Sequence, residues 1–470
     1  MLPADKHFAE TEISAMQTNR ISKPARLFWS DVLPPLTMML ITVCSLLQWY
    51  NIKWGSYLLL FVALPATLLL TGYLLGVRLG GLKLEYKLAL GYLLWYLLSR
   101  LINGDVLLEH TYFNVAWLCM AVCAALHMAV LMGQARRGQA VALVSALVVG
   151  AFTAIALLGI YVAVTKQSLQ MPFTPAPIEM TSGRRLSVWY MHPNITSAMF
   201  SIGVLLALYL ALARSGHWRR AAFLLAAGIQ YIGIGLTGSR TAMVCLAIML
   251  CLIVAKLLFG RLRKRKRLER AVLAVLAAVA AFYLSFSGFN AAIDTLSVIS
   301  RQLPEQTSEV VQNTTTTAKG VAAKREIAPA IDTLGNRLGV YKAAVQYIGN
   351  HPLTLLRGNM DDAFMAEIKE TAQYPYAHMH NAMLQVLMTT GLPGLALMLW
   401  FLYLLVKRAA RLYFWESATP ADAVLTMLPM VTLAHSVLEP FVFAWAGLIN
   451  VLFFFAAGVL IQRDQVISGH

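Results

Sequence analysis

The sequence predicts an all-α protein that crosses a membrane about twelve times and carries a helical cap on one side. Three observations lead there. Hydrophobic residues make up 59% of the 470 and charged residues 13%, against about a quarter charged in an ordinary soluble domain. Apolar runs of about 20 residues, the length that spans hydrocarbon as a helix, recur along the chain. One polar stretch, from Asn290 to His380, interrupts them late. A loop of that length tends to carry function.

The runs fall at 32–48, 54–76, 84–102, 112–133, 138–165, 195–213, 221–238, 241–260, 271–289, 392–407, 421–439 and 441–461, the last two parted only by a turn around Pro440. The net charge of +16 follows their topology. Arg78 and Lys83, Arg136 and Arg137, Arg214, Arg219 and Arg220, and Lys407, Arg408 and Arg411 sit on alternate loops; the densest run is RLRKRKRLER, Arg261 to Arg270. Basic loops stay cytoplasmic. Lys6, Arg20, Lys23 and Arg26 precede the first run, so both termini are expected in the cytoplasm. The charge then serves orientation and attraction to anionic membrane lipid, and no nucleic-acid partner is expected.

Cys44, Cys119, Cys123, Cys245 and Cys251 all fall within apolar runs at packing spacings, which indicates neither a disulfide framework nor a metal site. The first thirty residues are polar and lack a signal-peptide pattern, so the first run reads as an uncleaved signal.

The expected organisation is a cytoplasmic segment 1–31, nine spans over 32–289 with an exterior loop 166–194, an exterior cap 290–391, three spans over 392–462, and a cytoplasmic tail 463–470. Within the cap, PEQTSEVVQNTTTTAKG reads as loop. Leu338, Tyr341, Val345 and Ile348 then recur at helical spacing, with Arg337 opening the helix and His351-Pro352 ending it. Asn381 to Thr390 reads as a short helix stopped by Gly391 before the next span.

Two residues lead the candidate chemistry. Arg240 lies in LTGSRT, a polar turn at the exterior ends of two apolar helices. A guanidinium there either grips phosphate oxygens, with Ser239 and Thr241 beside it, or snorkels to mark the interface. His380 is suited to take a proton from a sugar hydroxyl or to hold it, and the competing reading is a helix-start residue in a histidine-rich stretch beside His378. Asn381 either caps the helix or binds substrate. Arg184 and Arg185 in the other exterior loop offer a second phosphate contact or are simply solvated. Asn194 reads as the N-cap of the sixth span, with His192 just before it, and both face the exterior. His435 and Glu439, one helical turn apart, line the same cavity or form a structural pair. Arg337 lines the site or binds a neighbouring helix. No Asp-x-Asp pair or clustered His/Cys ligands are visible outside, so metal-independent chemistry without cofactors is expected, with arginines neutralising charge.

These residues resemble the O-antigen ligase and polymerase superfamily of membrane glycosyltransferases. The shared pattern is a long late external loop leading to His-Asn and a glycine-rich helix start, here HNAMLQVLMTTGLPGL from His380 to Leu395. Before it, RLGVYKAAVQYIGNHPLTLLRGN from Arg337 to Asn359 is similar to the family's arginine-aromatic helix, and Arg240 matches an arginine in a GSRT-like turn. Val244 stands where the ligase motif often has Leu.

The resemblance implies a fold of the GT-C membrane glycosyltransferase type with a periplasmic active site. It implies transfer of glycan from an undecaprenyl-diphosphate carrier to lipid A-core, at the periplasmic face of a Gram-negative inner membrane. Under that reading His380 and Arg240 are catalytic. Arg184, Arg185, Asn194, Ser239, Arg337, Asn381, His435 and Glu439 bind substrate. The alternatives are an O-antigen polymerase, a protein O-oligosaccharyltransferase, and, from another class, a transporter. Against the last, His127 is the one titratable residue that reads as lying deep in a span, and the insert does not separate two six-span halves.

Overall fold

The computed structural model describes residues 33–49, 58–69, 72, 83–104, 115–123, 134–171, 177–181, 185–188, 192–213, 216–262, 265–302, 330–359, 361–372, 378–415, 418–443 and 447–468. They are mostly helical. In chain order the helices are α1 (Leu33–Trp49), α2 (Leu84–Asn103), α3 (Gln134–Thr165), α4 (Pro193–Ala213), α5 (His217–Thr237), α6 (Arg240–Arg261) and α7 (Arg267–Gln302). The order continues with α8 (Ala330–Asn350), α9 (Thr354–Arg357), α10 (Asp361–Ala372), α11 (Ala382–Phe414), α12 (Pro420–Ser436) and α13 (Leu448–Ser468).

Among the described residues six helices are long and apolar enough to cross a membrane: Val141–Thr165, Pro193–Ala213, His217–Thr237, Arg240–Arg261, Arg267–Ile299 and Ala382–Phe414. The protein is a polytopic membrane protein. At the other expected runs the described helices are shorter or less apolar, so a count of twelve rests on the sequence. His127 and Arg184 lie outside the described residues. The five cysteines are free and buried.

α4 is the central helix, buried along most of its length and packed on α3, α5 and α12. α7 is the opposite case. Most of its side chains are exposed although its composition is apolar, which is how a helix facing lipid reads. At the far end from the cap, Thr419 and Asp422 close a capping box on α12, with Pro420 in the first turn. Asp422 also accepts from Arg463 of α13 at 2.7 Å, which ties the last two helices.

The loop 166–194, expected on the exterior, holds a small departure from the all-α expectation. Ile178–Met180 (β1) pairs antiparallel with Leu186–Val188 (β2), Ile178 opposite Val188 and Met180 opposite Leu186. Ile178, Met180, Leu186 and Val188 are all buried, so this hairpin packs down onto the bundle. Three-residue strands are too short for alternation to reveal them in a sequence.

The cap builds a second small core, in which Val340, Ala343, Ala344 and Tyr347 of α8 meet Phe364, Met365 and Ile368 of α10, closed by Met379 and Met388. The expected apolar face of α8 is rotated: Leu338 and Val345 are exposed, at 55% and 67%. The small residues Ala343 and Ala344 face inward because they admit the close approach of α10. The helix also begins at Ala330, so Arg337 sits two turns inside it instead of opening it.

α11 breaks at Gly391, whose φ of 69° and ψ of −171° suit glycine alone. The break separates a half-helix, 382–390, from the long span that follows. Gly358, at φ 71°, lies against the same break, and a Cβ there would collide with the Thr389 carbonyl. A Cβ on Gly391 would come within 2.8 Å of the Leu355 and Leu356 backbone. The two glycines let the α9 turn and the helix break interlock.

Candidate active site at the mouth of the cap

The half-helix is started by Asn381, whose Oδ1 accepts from Leu384 N–H at 3.0 Å. Its Nδ2 donates to Val437 O at 3.0 Å, binding the half-helix to the turn after α12. The chain enters this cap through His380 at φ 51°, a left-handed backbone for a non-glycine residue. That conformation costs about 1–2 kcal/mol, and neighbours hold it. Tyr341 donates its hydroxyl to His380 O at 3.2 Å, and Met379 N–H donates to Gln385 Oε1 at 2.9 Å.

Glu439 is the hub of the site. It lies in the turn beyond α12, 1% exposed. Asn194 Nδ2 donates to its Oε1 at 2.6 Å, and Arg337 Nη2 reaches the same oxygen at 3.4 Å. On the other oxygen, His380 Nδ1 lies at 3.3 Å and His378 Nε2 at 3.9 Å. Burial alone would raise this carboxyl's pKa. The hydrogen bonds from His380 and Asn194 and the charges around it outweigh burial, and hold it below the usual value. Glu439 is therefore a buried carboxylate.

The histidines feel the same burial in the opposite sense. Burial, reinforced by His380 and opposed by Glu439, pushes His378 down to about 4. His192 is also lowered, chiefly by burial. The His378 and His380 rings stand 4.2 Å apart at 62°. Nδ1 is the His380 ring nitrogen that faces the carboxylate, and a carboxylate beside one imidazole nitrogen favours the tautomer with its proton on that side.

Arg185 joins this cluster to the other candidate. Its Nη2 donates to Asn194 Oδ1 at 2.9 Å and its Nε to Thr237 O at 2.8 Å. Thr237 closes α5, Gly238 turns the chain at φ 60°, Ser239 accepts from Ala242 N–H as N-cap, and Arg240 is the first residue of α6. Arg240 is half-buried. Its Nε is buried without a hydrogen-bond partner among the described residues. A guanidinium donor so placed at a helix N-terminus is suited to an anion.

Several expectations change. Asn194 is not an N-cap: α4 begins at Pro193, and His192 O accepts the first turn's bonds from Ile195 and Thr196. Both polar atoms of the Asn194 side chain instead join Arg185 to Glu439. Asn381 does cap, and its amide also holds the Val437 turn. His435 is buried on α12, and its backbone carbonyl accepts the Glu439 N–H at 2.9 Å. Glu439, expected to continue that helix, lies three residues past its end. Arg184 cannot be placed, since it is outside the described residues.

Folding also gathers ligand atoms that the sequence keeps apart: one each from His378, His380 and Glu439 lie within 4.8 Å of one another. These are the donors a metal ion would use. The signal in the sequence was the His378-Met379-His380 spacing, but its third member is distant along the chain. Glu439 Oε1 already serves Asn194 and Arg337, so the carboxylate is balanced by protein groups.

Residues 221–399 match the family model Wzy_C, described as O-antigen ligase. A search of curated proteins returned no match. The matched segment holds Arg240, Arg337, His378, His380 and Asn381; Arg185, Asn194 and Glu439 lie outside it.

Proposed function

From a chain whose residues 221–399 carry an O-antigen ligase-family domain, we propose a periplasmic glycosyltransferase that moves polysaccharide from undecaprenyl-diphosphate to lipid A-core, in the inner membrane of a Gram-negative cell. The observation that carries this reading is the buried Glu439 carboxylate on His380 Nδ1. A carboxylate behind an imidazole fixes its tautomer and stabilises the imidazolium that forms when the ring takes a proton.

His380 Nε2 accepts the proton of the acceptor hydroxyl as its oxygen attacks the anomeric carbon. The bond from that carbon to the diphosphate oxygen breaks, so a single displacement inverts configuration. Negative charge grows on the leaving diphosphate. Arg240 meets it, with Arg185 and Arg337 adding positive field, and each well-placed donor contributes ~3 kcal/mol to the transition state. Arginine suits this task because its fork stays charged and matches two phosphate oxygens. No metal ion or cofactor is required by this sequence of steps. The cap core of α8 and α10 stands over the site and keeps water from the donor. Both substrates are lipid-linked, so a polytopic scaffold lets them arrive sideways.

The test is complementation of ligase-deficient cells that make a compatible O-antigen and core. Wild type restores a lipopolysaccharide ladder on lipid A-core, and His380→Ala at equal protein level does not. Polymerised glycan that stays on the lipid carrier would replace this reading with the polymerase, and glycosylated protein would replace it with the protein O-oligosaccharyltransferase. No product of any kind, with insertion confirmed, would leave transport.

A further inference from the structure

Among the described residues, a second polar cluster away from the histidines lies where α2 meets the break in α11. Pro393 has no N–H to offer Thr389 O, and Gly391 leaves helical geometry, so the half-helix 382–390 ends on carbonyls that the following span does not cover. One face of α2 covers them. Trp95 Nε1 donates to Thr390 O at 2.7 Å, and Arg100 Nη2 donates to Thr389 O. The same face holds the cap segment that crosses the break. Ser99 Oγ reaches Arg357 O at 2.5 Å, Asn103 Nδ2 donates to Arg357 O at 3.4 Å, and Arg100 Nη2 to Asn359 O at 3.3 Å.

Arg100 is the centre of this joint. It is 0% exposed, with its guanidinium 5.1 Å from the Tyr96 ring. A buried charge within a bilayer protein is costly and usually functional. Here it meets carbonyl oxygens from two segments at once. Asn359 continues the link, donating its N–H to Met388 O at 2.8 Å and its side-chain amide to the Tyr347 hydroxyl in the cap core. A cation at the C-terminal end of the half-helix also complements its dipole. The other end of that half-helix carries Asn381 and His380.

We propose that Arg100 is a positioning residue for glycosyl transfer: gripping Thr389 O and Asn359 O at one end of half-helix 382–390, it sets the place of His380 at the other and keeps the cap in register with it. This rests on the function proposed above. α2 lies outside the segment matched by the family model, so the anchor is a contribution of this chain's own N-terminal half. The half-helix is rigid over its two to three turns, so a shift at Thr389 is passed to His380. Displacing a reacting group by about 1 Å costs on the order of 100-fold in rate.

The test uses the full-length protein in nanodiscs. Arg100→Gln is expected to lower kcat on the order of 100-fold with donor KM nearly unchanged. Arg100→Lys, which restores a cationic donor, recovers most of the loss, and the pH profile of Arg100→Gln shifts because Glu439 holds His380 less firmly. Hydrogen exchange of amides 382–390 is read in parallel and is expected to quicken in Arg100→Gln while α4 and α6 stay unchanged. Wild-type kcat in inserted Arg100→Gln overturns the proposal. So does a loss that Arg100→Lys does not relieve, or one that appears in KM alone. Should Arg100→Gln fail to insert, Arg100→Met, which keeps a long side chain without the guanidinium donors, is read in its place, and a wild-type kcat there overturns the proposal equally. Absence of transfer by wild type would remove the ligase reading, and exchange would still decide the anchor.

Discussion

His380 Nδ1 lies 3.3 Å from Glu439 Oε2, and the two residues come from different turns that only folding brings together. Their contact converts a surface-type histidine motif into a buried acid–imidazole pair. The other Glu439 oxygen is held by Asn194 at 2.6 Å, so the carboxylate is aimed before any substrate arrives. Such preorganisation is what lets a base act without reorienting during the reaction.

Glu439→Gln keeps the size of the side chain and removes its charge. The imidazolium that forms on proton transfer then lacks its partner. Transfer is expected to fall roughly 100-fold or more, by analogy of role with the carboxylate of a catalytic triad. Rate in nanodiscs at matched protein level checks this, and an unchanged kcat would remove Glu439 from the mechanism.

Arg240→Ala and His380→Ala are each expected to abolish detectable transfer with the protein still folded and inserted. Near-normal ladders from both variants would sink the site.

Stability is expected to rise with pH between about 4 and 6.5. His378 titrates near 4 when folded but near its ordinary 6.5 when unfolded, so in that window the unfolded chain binds the extra proton. Its contribution is fully present above 6.5 and is lost as pH falls toward 4, at up to about 1.4 kcal/mol per pH unit. Glu439 and His192, both lowered, act in the same direction. Thermal unfolding of wild type and His378→Phe checks the sign: the variant's Tm should depend less on pH across that range.

Arg185→Ala and Asn194→Ala break the same chain of hydrogen bonds from Thr237 to Glu439. Each is expected to slow transfer about 10-fold. The double variant should lose less than the product of the two, since the residues act as one connection. Strict additivity would show that the link carries no coupling.

Gly358→Ala is expected to lower stability by about 2–3 kcal/mol or prevent insertion, because φ is 71° and the new Cβ meets the Thr389 backbone. Gly228→Ala, at an open helical position, serves as the control with little effect. Thermal unfolding distinguishes the two.

Composition and hydropathy determined the membrane class because a bilayer imposes a length and an apolarity that each helix must meet locally. The half-helix and its stop were legible for a similar reason: Asn381 and Gly391 act on their own neighbours. Local pattern misled on α8, where alanines rather than Leu338 and Val345 face the core, since burial is set by what packs opposite. The motif residues Arg240 and His380 stood out one at a time, but their surroundings did not. Asn194 and Glu439 meet across 245 residues, and Arg100 and Thr389 across 289. No periodicity encodes such pairs. A buried charge must find its partner wherever the chain returns, and tertiary packing alone decides where that is.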